Sequence, residues 1–293
     1  MAITSRRKFI RQVAVLAGGV AVPPALREQA AAYPASSDEQ ICQRKFTLAA
    51  KESLQKRPIG EVMVAVGTSF IATPYVANTL EQPGEEHLVI NLQGLDCVTF
   101  VENTLALSRC IKLGKHSFEE YKKQLQLIRY RGGVIDGYPS RLHYFSDWIE
   151  DNEKKRVVEN ISREIGVTYE KKIGFMSSHQ SSYKQLSNKA SLGRIAETES
   201  KLNERQHYYI RKDRLKDVDG MIEPGDIIGI TTSIEGLDIM HTGIAIRTNG
   251  VLKYLHAPLS KGKVQITELS LSEYLASHEK QSGIMVARSV EPV

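Results

Sequence analysis

Cysteine is scarce in this chain: Cys42, Cys97 and Cys110 are the only three among 293 residues. An odd number leaves at least one thiol unpaired even if a disulfide forms. Cys42 and Cys110 are the pair available for one, although two buried free thiols fit the sequence equally well. Close-set metal ligands are missing too, since neither an H-E-x-x-H nor a C-x-x-C spacing occurs, which argues against a zinc site. The weakly apolar run near the N-terminus, Val13 to Val22, is too short for a membrane span and contains Gly18 and Gly19. Lys and Arg are scattered rather than gathered into a stripe with interleaved aromatics, and the formal net charge is only +5, so nucleic acid is not an expected partner. There is no internal repeat and no low-complexity tract.

What is present suits a folded, exported protein. With 41% hydrophobic and 25% charged residues, the chain can bury one large core or two small ones. Ser5-Arg6-Arg7-Lys8-Phe9-Ile10-Arg11 resembles a twin-arginine export signal, and Ala30-Ala31-Ala32 offers small residues for cleavage. Residues 1–32 therefore read as a signal peptide handled by the twin-arginine export machinery and cleaved near Ala32. The mature chain then starts near Tyr33 and works in the periplasm, with no stable membrane anchor. Residues 33–293 read as one domain with a helical and loop insertion at about 115–220.

Spacing and punctuation outline the helices. Ile41, Phe46, Leu48 and Leu54 permit a helix from Asp38 to about Arg57, which Pro58 ends. The apolar stretch Val62 to Phe70 leads to Thr73-Pro74-Tyr75-Val76, where proline fixes the approach to Tyr75. On its own that ring reads as packing. Leu88 to Leu92 looks like a strand. Cys97 then opens a helix with a broad apolar face of Val98, Val101, Leu105 and Ile111, ending before Gly114, and Asp96 reads as its cap. Ser117-Phe118-Glu119-Glu120 has capping-box spacing and starts a second helix. Ser140-Arg141-Leu142-His143-Tyr144 follows a set of turns. Its mix of polar tips and aromatics suits a ligand wall, or an amphipathic helix with Arg141 and His143 solvated. From Asp151 to Asp219 the chain is polar and reads as helices and loops covering one side of the core.

A helix N-terminus lowers the pKa of a thiol toward the reactive thiolate. Cys97 thus suits a nucleophile, and it suits a core position as well. Its partners would lie in the C-terminal third. Glu223-Pro224-Gly225-Asp226 turns the chain into Ile227 to Ile230, an apolar run of strand length. Asp238 to Ile246 and Val251 to His256 flank Asn249-Gly250, a hairpin dipeptide because both residues tolerate positive φ. With those two residues as the turn, Thr248 pairs with Val251 and His256 lies opposite Gly243. His241, two residues along, then shares a face with His256 at a diagonal of about 7–8 Å, whereas a one-residue slip would separate them. Two histidines on one face serve a thiol nucleophile: His241 takes and returns the proton, and His256 orients it through the second ring nitrogen.

The succession Pro74-Tyr75, Leu95-Asp96-Cys97, Glu223-Pro224-Gly225-Asp226, His241-Thr242-Gly243-Ile244 and His256-Ala257-Pro258 resembles the NlpC-type cysteine peptidases of the papain-like fold. More narrowly, Leu95-Asp96-Cys97-Val98-Thr99-Phe100-Val101-Glu102, Ser140-Arg141-Leu142-His143-Tyr144 and Gly236-Leu237-Asp238-Ile239 resemble its N-acetylmuramoyl-L-alanine amidase branch. The resemblance runs from about residue 60 to 290. It implies an α+β papain-like domain with a central antiparallel sheet and a nucleophile at the N-terminus of a buried helix. It also implies hydrolysis, without metal or cofactor, of the amide between N-acetylmuramic acid, in its 1,6-anhydro form, and L-alanine in muropeptides. Cys97 would be nucleophile, His241 base, His256 the third polar residue and Tyr75 the active-site tyrosine, with Asp96, Ser140, Arg141 and His143 binding substrate. Val98-Thr99 replaces the Ser-Gly that commonly follows the cysteine, and a long segment separates the cysteine helix from His241. Both departures favour the amidase branch over a DL-endopeptidase. A zinc hydrolase using Cys97, His241 and His256, a catalytically silent envelope-binding module, and acyl transfer through the same thioester are the rival classes. Fractionation is expected to recover the chain from the periplasm with its N-terminus near Tyr33; an uncleaved cytoplasmic protein would contradict the export reading.

Overall fold

Residues 37–293 are described, by a computed structural model of the protein. The expected export signal, residues 1–32, lies outside the described residues. Among these, no helix is long and apolar enough to cross a membrane.

Five helices form one layer. Helix α1, Asp38–Lys51, starts behind Ser37, whose hydroxyl accepts the Gln40 N–H. Helix α2, Ile59–Thr68, takes up the apolar stretch around Val62; its first N–H donates to Glu291 at 2.8 Å. Helix α3, Cys97–Lys112, is capped by Asp96 and gives way to Gly114, at φ 67°. Helix α4, Phe118–Arg129, is capped by Ser117. Helix α5, Phe145–Lys154, has no cap from Tyr144, the residue before it. Asp238 supplies one from a distance, accepting the Ser146 N–H at 2.8 Å and the Ser146 hydroxyl at 2.9 Å. Helix α3 is the hub, because every residue from Thr99 to Ile111 is buried and it touches α1, α2, α4 and the sheet. Only a helix enclosed on all sides buries its polar residues as well as its apolar stripe.

The second layer is a sheet of eight antiparallel strands: β1 Val158–Asn160, β2 Val167–Thr168, β3 Tyr208–Arg211, β4 Ile227–Thr232, β5 Ile239–Thr248, β6 Val251–His256, β7 Gln265–Ile266 and β8 Gln281–Ser289. Their order is β2-β3-β8-β4-β5-β6-β7, with β1 also paired to β8. Side chains alternate between the faces. Ile227, Ile244, Leu255 and Met285 join the core shared with the helices, while Ile228, Ala245, Tyr254 and Val286 form a second core on the other side. Beyond four-residue helices at Ser162–Ile165, Phe175–Ser178 and Leu215–Val218, two longer helices remain, α6 (Lys189–Asn203) and α7 (Leu271–Ala276). Helix α7 closes the second core with Leu271 and Leu275, and α6 contributes Ile195 and Leu202 to a third cluster with Tyr138, Tyr144, Tyr183 and Leu237.

The hairpin has the register its turn implies. Asn249 and Gly250 take φ of 52° and 80°, Thr248 pairs with Val251, and His256 lies opposite Gly243. Elsewhere the structure departs from the sequence pattern. Leu88 to Leu92 is extended but pairs with no strand; side chains satisfy it instead, with Arg129 Nη1 donating to Val89 O, Asn103 Nδ2 to Asn91 O and Leu92 N–H to Asp38. The polar segment 151–219 contains three strands of two to four residues, too short to show an alternation. Within 115–220, α4 and α5 belong to the main core through Tyr121, Leu125, Ile128, Trp148 and Ile149. A cluster distinct from that core begins with Tyr138 and Tyr144 and gathers residues 173–202.

Gly243 is where the hairpin is tightest. A Cβ there would lie 2.6 Å from Leu255 O and 2.9 Å from both His256 Cβ and Tyr254 Cε2. Gly243→Ala is expected to push β6 away at His256 and to destabilise the protein by about 1–3 kcal/mol, measurable as a lowered denaturation midpoint; an unchanged midpoint would show that the strands separate freely.

Candidate active site

The site begins at the first turn of α3. Asp96 accepts the Thr99 N–H at 2.8 Å while the Thr99 hydroxyl accepts the Asp96 N–H at 2.9 Å, a reciprocal pair that fixes where the helix starts. Cys97 is its first residue and is 2% exposed. The backbone N–H groups of Thr242, on β5, and of Val98 favour its thiolate. Burial pushes the thiol up, and the neighbouring Asp96 carboxyl adds to the rise, whereas these N–H groups oppose it.

Tyr75 reaches the same place by backbone pairing. Leu95 N–H donates to Pro74 O at 2.9 Å and Val76 N–H to Leu95 O at 3.2 Å, which lays Tyr75 alongside the residue two before Cys97. The strands cross so closely that a Cβ on Gly94 would lie 2.3 Å from Val76 Cγ2. Burial, then proximity to Cys97, raises the Tyr75 phenol, so it stays protonated and able to donate.

His241 and His256 meet edge to edge. Nε2 of His241 is 2.7 Å from Nδ1 of His256, with ring centroids 5.0 Å apart. Both are neutral at pH 7, because burial lowers His241 to about 4 and His256 to about 2. One nitrogen of the contact must therefore donate and the other accept.

One cavity joins these elements, lined among others by Asp96, Cys97, Arg141, His143, Asp238 and His241. Arg141 donates to Glu81 at 2.9 Å, to Glu86 at 2.8 and 3.0 Å, and to Leu80 O at 3.2 Å. Its charge is thus already matched inside the protein. The His143 ring lies 4.5 Å from that of Tyr138, with Nε2 2.9 Å from Tyr138 O, and burial followed by the Arg141 charge lowers it to about 3. Ser140 locks a turn, donating to Gly137 O and accepting from Asp136 N–H. Tyr75, Ser140 and His256 are not among the lining residues; His256 touches the site through His241, and Tyr75 through the start of α3. Cys42 and Cys110 are both free and buried, with their thiols pushed up to about 12 by burial.

The partners of several lining residues escape sequence reasoning. Glu102 forms a buried ion pair with Arg129 at 2.7 Å; its only signal is an acid in an apolar helix. Tyr144 and Tyr183 come from distant segments, Tyr144 donating to Glu199 at 2.6 Å. Nothing in their local sequence joins them.

Solved structures share this arrangement of elements. An N-acetylmuramoyl-L-alanine amidase from Bacteroides uniformis is 38% identical, with a TM-score of 0.76 over 79% of this chain and 99% of that one. A Bacteroides fragilis protein proposed to be a xylanase is 39% identical, with a TM-score of 0.73 over 76% and 99%. A Legionella pneumophila protein of the family DUF1460, 22% identical, shares the fold at a TM-score of 0.63 over 92% and 98%. No curated protein matches the chain. The class is that of the amidase-like hydrolases of peptidoglycan. Within it, the chain belongs to the AmiA-like family, described as N-acetylmuramoyl-L-alanine amidase-like, which residues 65–284 match.

The buried histidines give stability a pH dependence. His143 and His241, at about 3 and about 4, lie below the ordinary 6.5, so on acidification the unfolded chain takes up protons first. Their contribution is complete above pH 6.5 and is lost as pH falls toward those values. Asp96, Glu102 and Asp238 are raised by burial and work in the opposite sense, so the histidine share is read against a variant. Between pH 7 and 4 the melting temperature of the wild type is expected to fall more steeply than that of His143→Gln; parallel curves would contradict the assignment.

Proposed function

We propose that this protein is a cysteine-dependent N-acetylmuramoyl-L-alanine amidase of the papain-like, NlpC-type fold. It cleaves the amide between the lactyl group of 1,6-anhydro-N-acetylmuramic acid and L-alanine in muropeptides, and it works in the periplasm after export by the twin-arginine route. One observation carries the reading: the Cys97 thiol, at the N-terminus of α3, shares a cavity with His241, whose other ring nitrogen is bonded to His256.

The chemistry follows from the resting charges. Thiol and imidazole both start neutral, so His241 removes the proton from Cys97 as sulfur attacks the lactyl carbonyl, rather than from a preformed ion pair. Donation from His241 Nε2 to His256 leaves His241 Nδ1 as the proton acceptor and steadies the imidazolium that forms. Backbone N–H groups at the start of α3, with the Tyr75 hydroxyl, suit the oxyanion, at roughly 3 kcal/mol per donor in comparable sites. The C–N bond then breaks as His241 protonates the alanine nitrogen, leaving a thioester on Cys97. Water, giving its proton to His241, attacks the thioester, frees the muramoyl carboxylate and restores the thiol.

Two rival chemistries fit these residues less well. Tetrahedral zinc, with Zn–N near 2.0–2.1 Å, holds its ligand atoms about 3.3 Å apart, whereas the facing His241 and His256 nitrogens are 2.7 Å apart and aimed at one another as donor and acceptor. A xylanase needs two carboxyl groups free to act on a glycosidic bond. Here Glu102 is paired with Arg129, Glu81 with Arg141, and Asp96 and Asp238 are tied to helix starts.

Incubation with anhydro-muropeptides and mass analysis is expected to show free peptide beginning at L-alanine together with peptide-free anhydro-sugar. Cleavage within the stem peptide would replace the amidase by a DL-endopeptidase. Cys97→Ala is expected to lower turnover by at least about 10³-fold, and full turnover in that variant would overturn the mechanism.

A further inference from the structure

We propose that Tyr274, on α7, is a positioning residue: its ring selects the tautomer of His256 that lets His241 act as a base. The proposal rests on the reading of His241 and His256 given above. Nδ1 of His256 is engaged by His241. Nε2 of His256 is buried and has no hydrogen-bond partner. Two tautomers are compatible with that contact, and they differ in consequence. If His256 carries its proton on Nε2, Nδ1 accepts from His241 Nε2–H and His241 keeps a bare Nδ1. If His256 carries it on Nδ1, it donates to His241 Nε2, and the His241 proton sits on Nδ1, where it blocks uptake of the thiol proton.

No oxygen or nitrogen acceptor decides between them, but an aromatic ring does. Tyr274 meets His256 in a T-shaped contact, centroids 5.6 Å apart and planes at 82°, and Tyr254 covers the ring at 4.8 Å and 40°. The face of an aromatic ring is negative, so it attracts an N–H and repels a lone pair. Tyr254 lies tilted over the imidazole face and does not distinguish the tautomers, whereas the T-shaped contact lets the Nε2 edge of His256 meet the face of Tyr274, which favours the proton on Nε2. Tyr254 is buried in the sheet, its hydroxyl donating to Ile228 O, so replacing it disturbs the fold. Tyr274 is half-buried on a six-residue helix fastened by the Ser270–Glu273 capping box and by Leu271 and Leu275. The His278 ring packs 4.7 Å from its own. Its ring can be removed while the sheet stays intact.

The test pairs long-range proton–nitrogen NMR of the histidine-labelled full chain with muropeptide kinetics; His256→Gln assigns the signals. In the wild type and Tyr274→Phe, His256 is expected to carry its proton on Nε2 with Nδ1 bare, and kcat to stay within twofold. In Tyr274→Leu the second tautomer is expected to appear and kcat to fall roughly two- to fivefold, the size of a weak N–H to ring contact, with KM unchanged. A wild-type His256 protonated on Nδ1 would overturn the proposal. So would a Tyr274→Leu that matches the wild type in tautomer and kcat, or a Tyr274→Phe that loses as much as Tyr274→Leu. Should the Leu variant not fold, Tyr274→Met, which keeps the bulk without the ring, is read by the same two measurements. The wild-type spectrum needs no turnover, so failure of the amidase reading, seen as no peptide release by the wild type, is distinguishable from failure of this one.

Discussion

Two backbone angles at one turn govern what the rest of the chain achieves. Asn249 and Gly250, both at positive φ, join β5 to β6 without a spare residue, and the pairing from Thr248–Val251 to Gly243–His256 follows from them. That register puts Ile244 and Leu255 against the helical layer and Ala245 and Tyr254 into the opposite core. It also puts His241 and His256 on one face, close enough for a 2.7 Å bond. A slip of one residue would exchange the side chains that face the two cores and would part the histidines. Fold stability and the histidine pair are therefore specified by the same turn.

The site itself is built against electrostatic preference. A thiol is 2% exposed beside a capping carboxyl, and both conditions disfavour thiolate. Two histidines are buried deeply enough to stay neutral. The donors that offset this are backbone groups, the N–H of Thr242 and of the first turn of α3, which are fixed by the fold and need no rearrangement when charge develops. Such a resting state keeps the proton on sulfur, and under the proposed mechanism it would leave only as sulfur attacks a bound carbonyl.

Much of this was legible in the sequence because it is local. The start of α3 is carried by Asp96, its end by Gly114, the start of α4 by Ser117, and the hairpin by two residues. These signals act over four residues or fewer. The strands β1 to β3 are not legible, since two to four residues show no period; β1 and β3 are held by pairing with β8, and β2 by pairing with β3. Leu88 to Leu92 misled for the opposite reason: it has the composition of a strand, but Arg129, Asn103 and Asp38 satisfy its backbone. The tertiary caps escape in the same way. Nothing near Tyr144 reveals that Asp238, some ninety residues on, closes the start of α5.

Arg141 shows why a motif names a residue before it names a role. The segment Ser140 to Tyr144 reads as a ligand wall or as an amphipathic helix with Arg141 and His143 solvated, and both residues line the cavity. Yet the guanidinium spends its donors on Glu81, Glu86 and Leu80 O, and Tyr130 adds a further bond to Glu86. An arginine so engaged offers little free charge to a ligand; it fastens residues 80–86 as one wall of the cavity. Removing it would leave two carboxylates without their partner, a change that costs about 3–5 kcal/mol where such pairs are buried. Asp238 does the equivalent on the other side by anchoring α5. The charged side chains of the cavity are thus held by one another or by helix N–H groups, which leaves shape and hydrogen bonding as what the cavity presents.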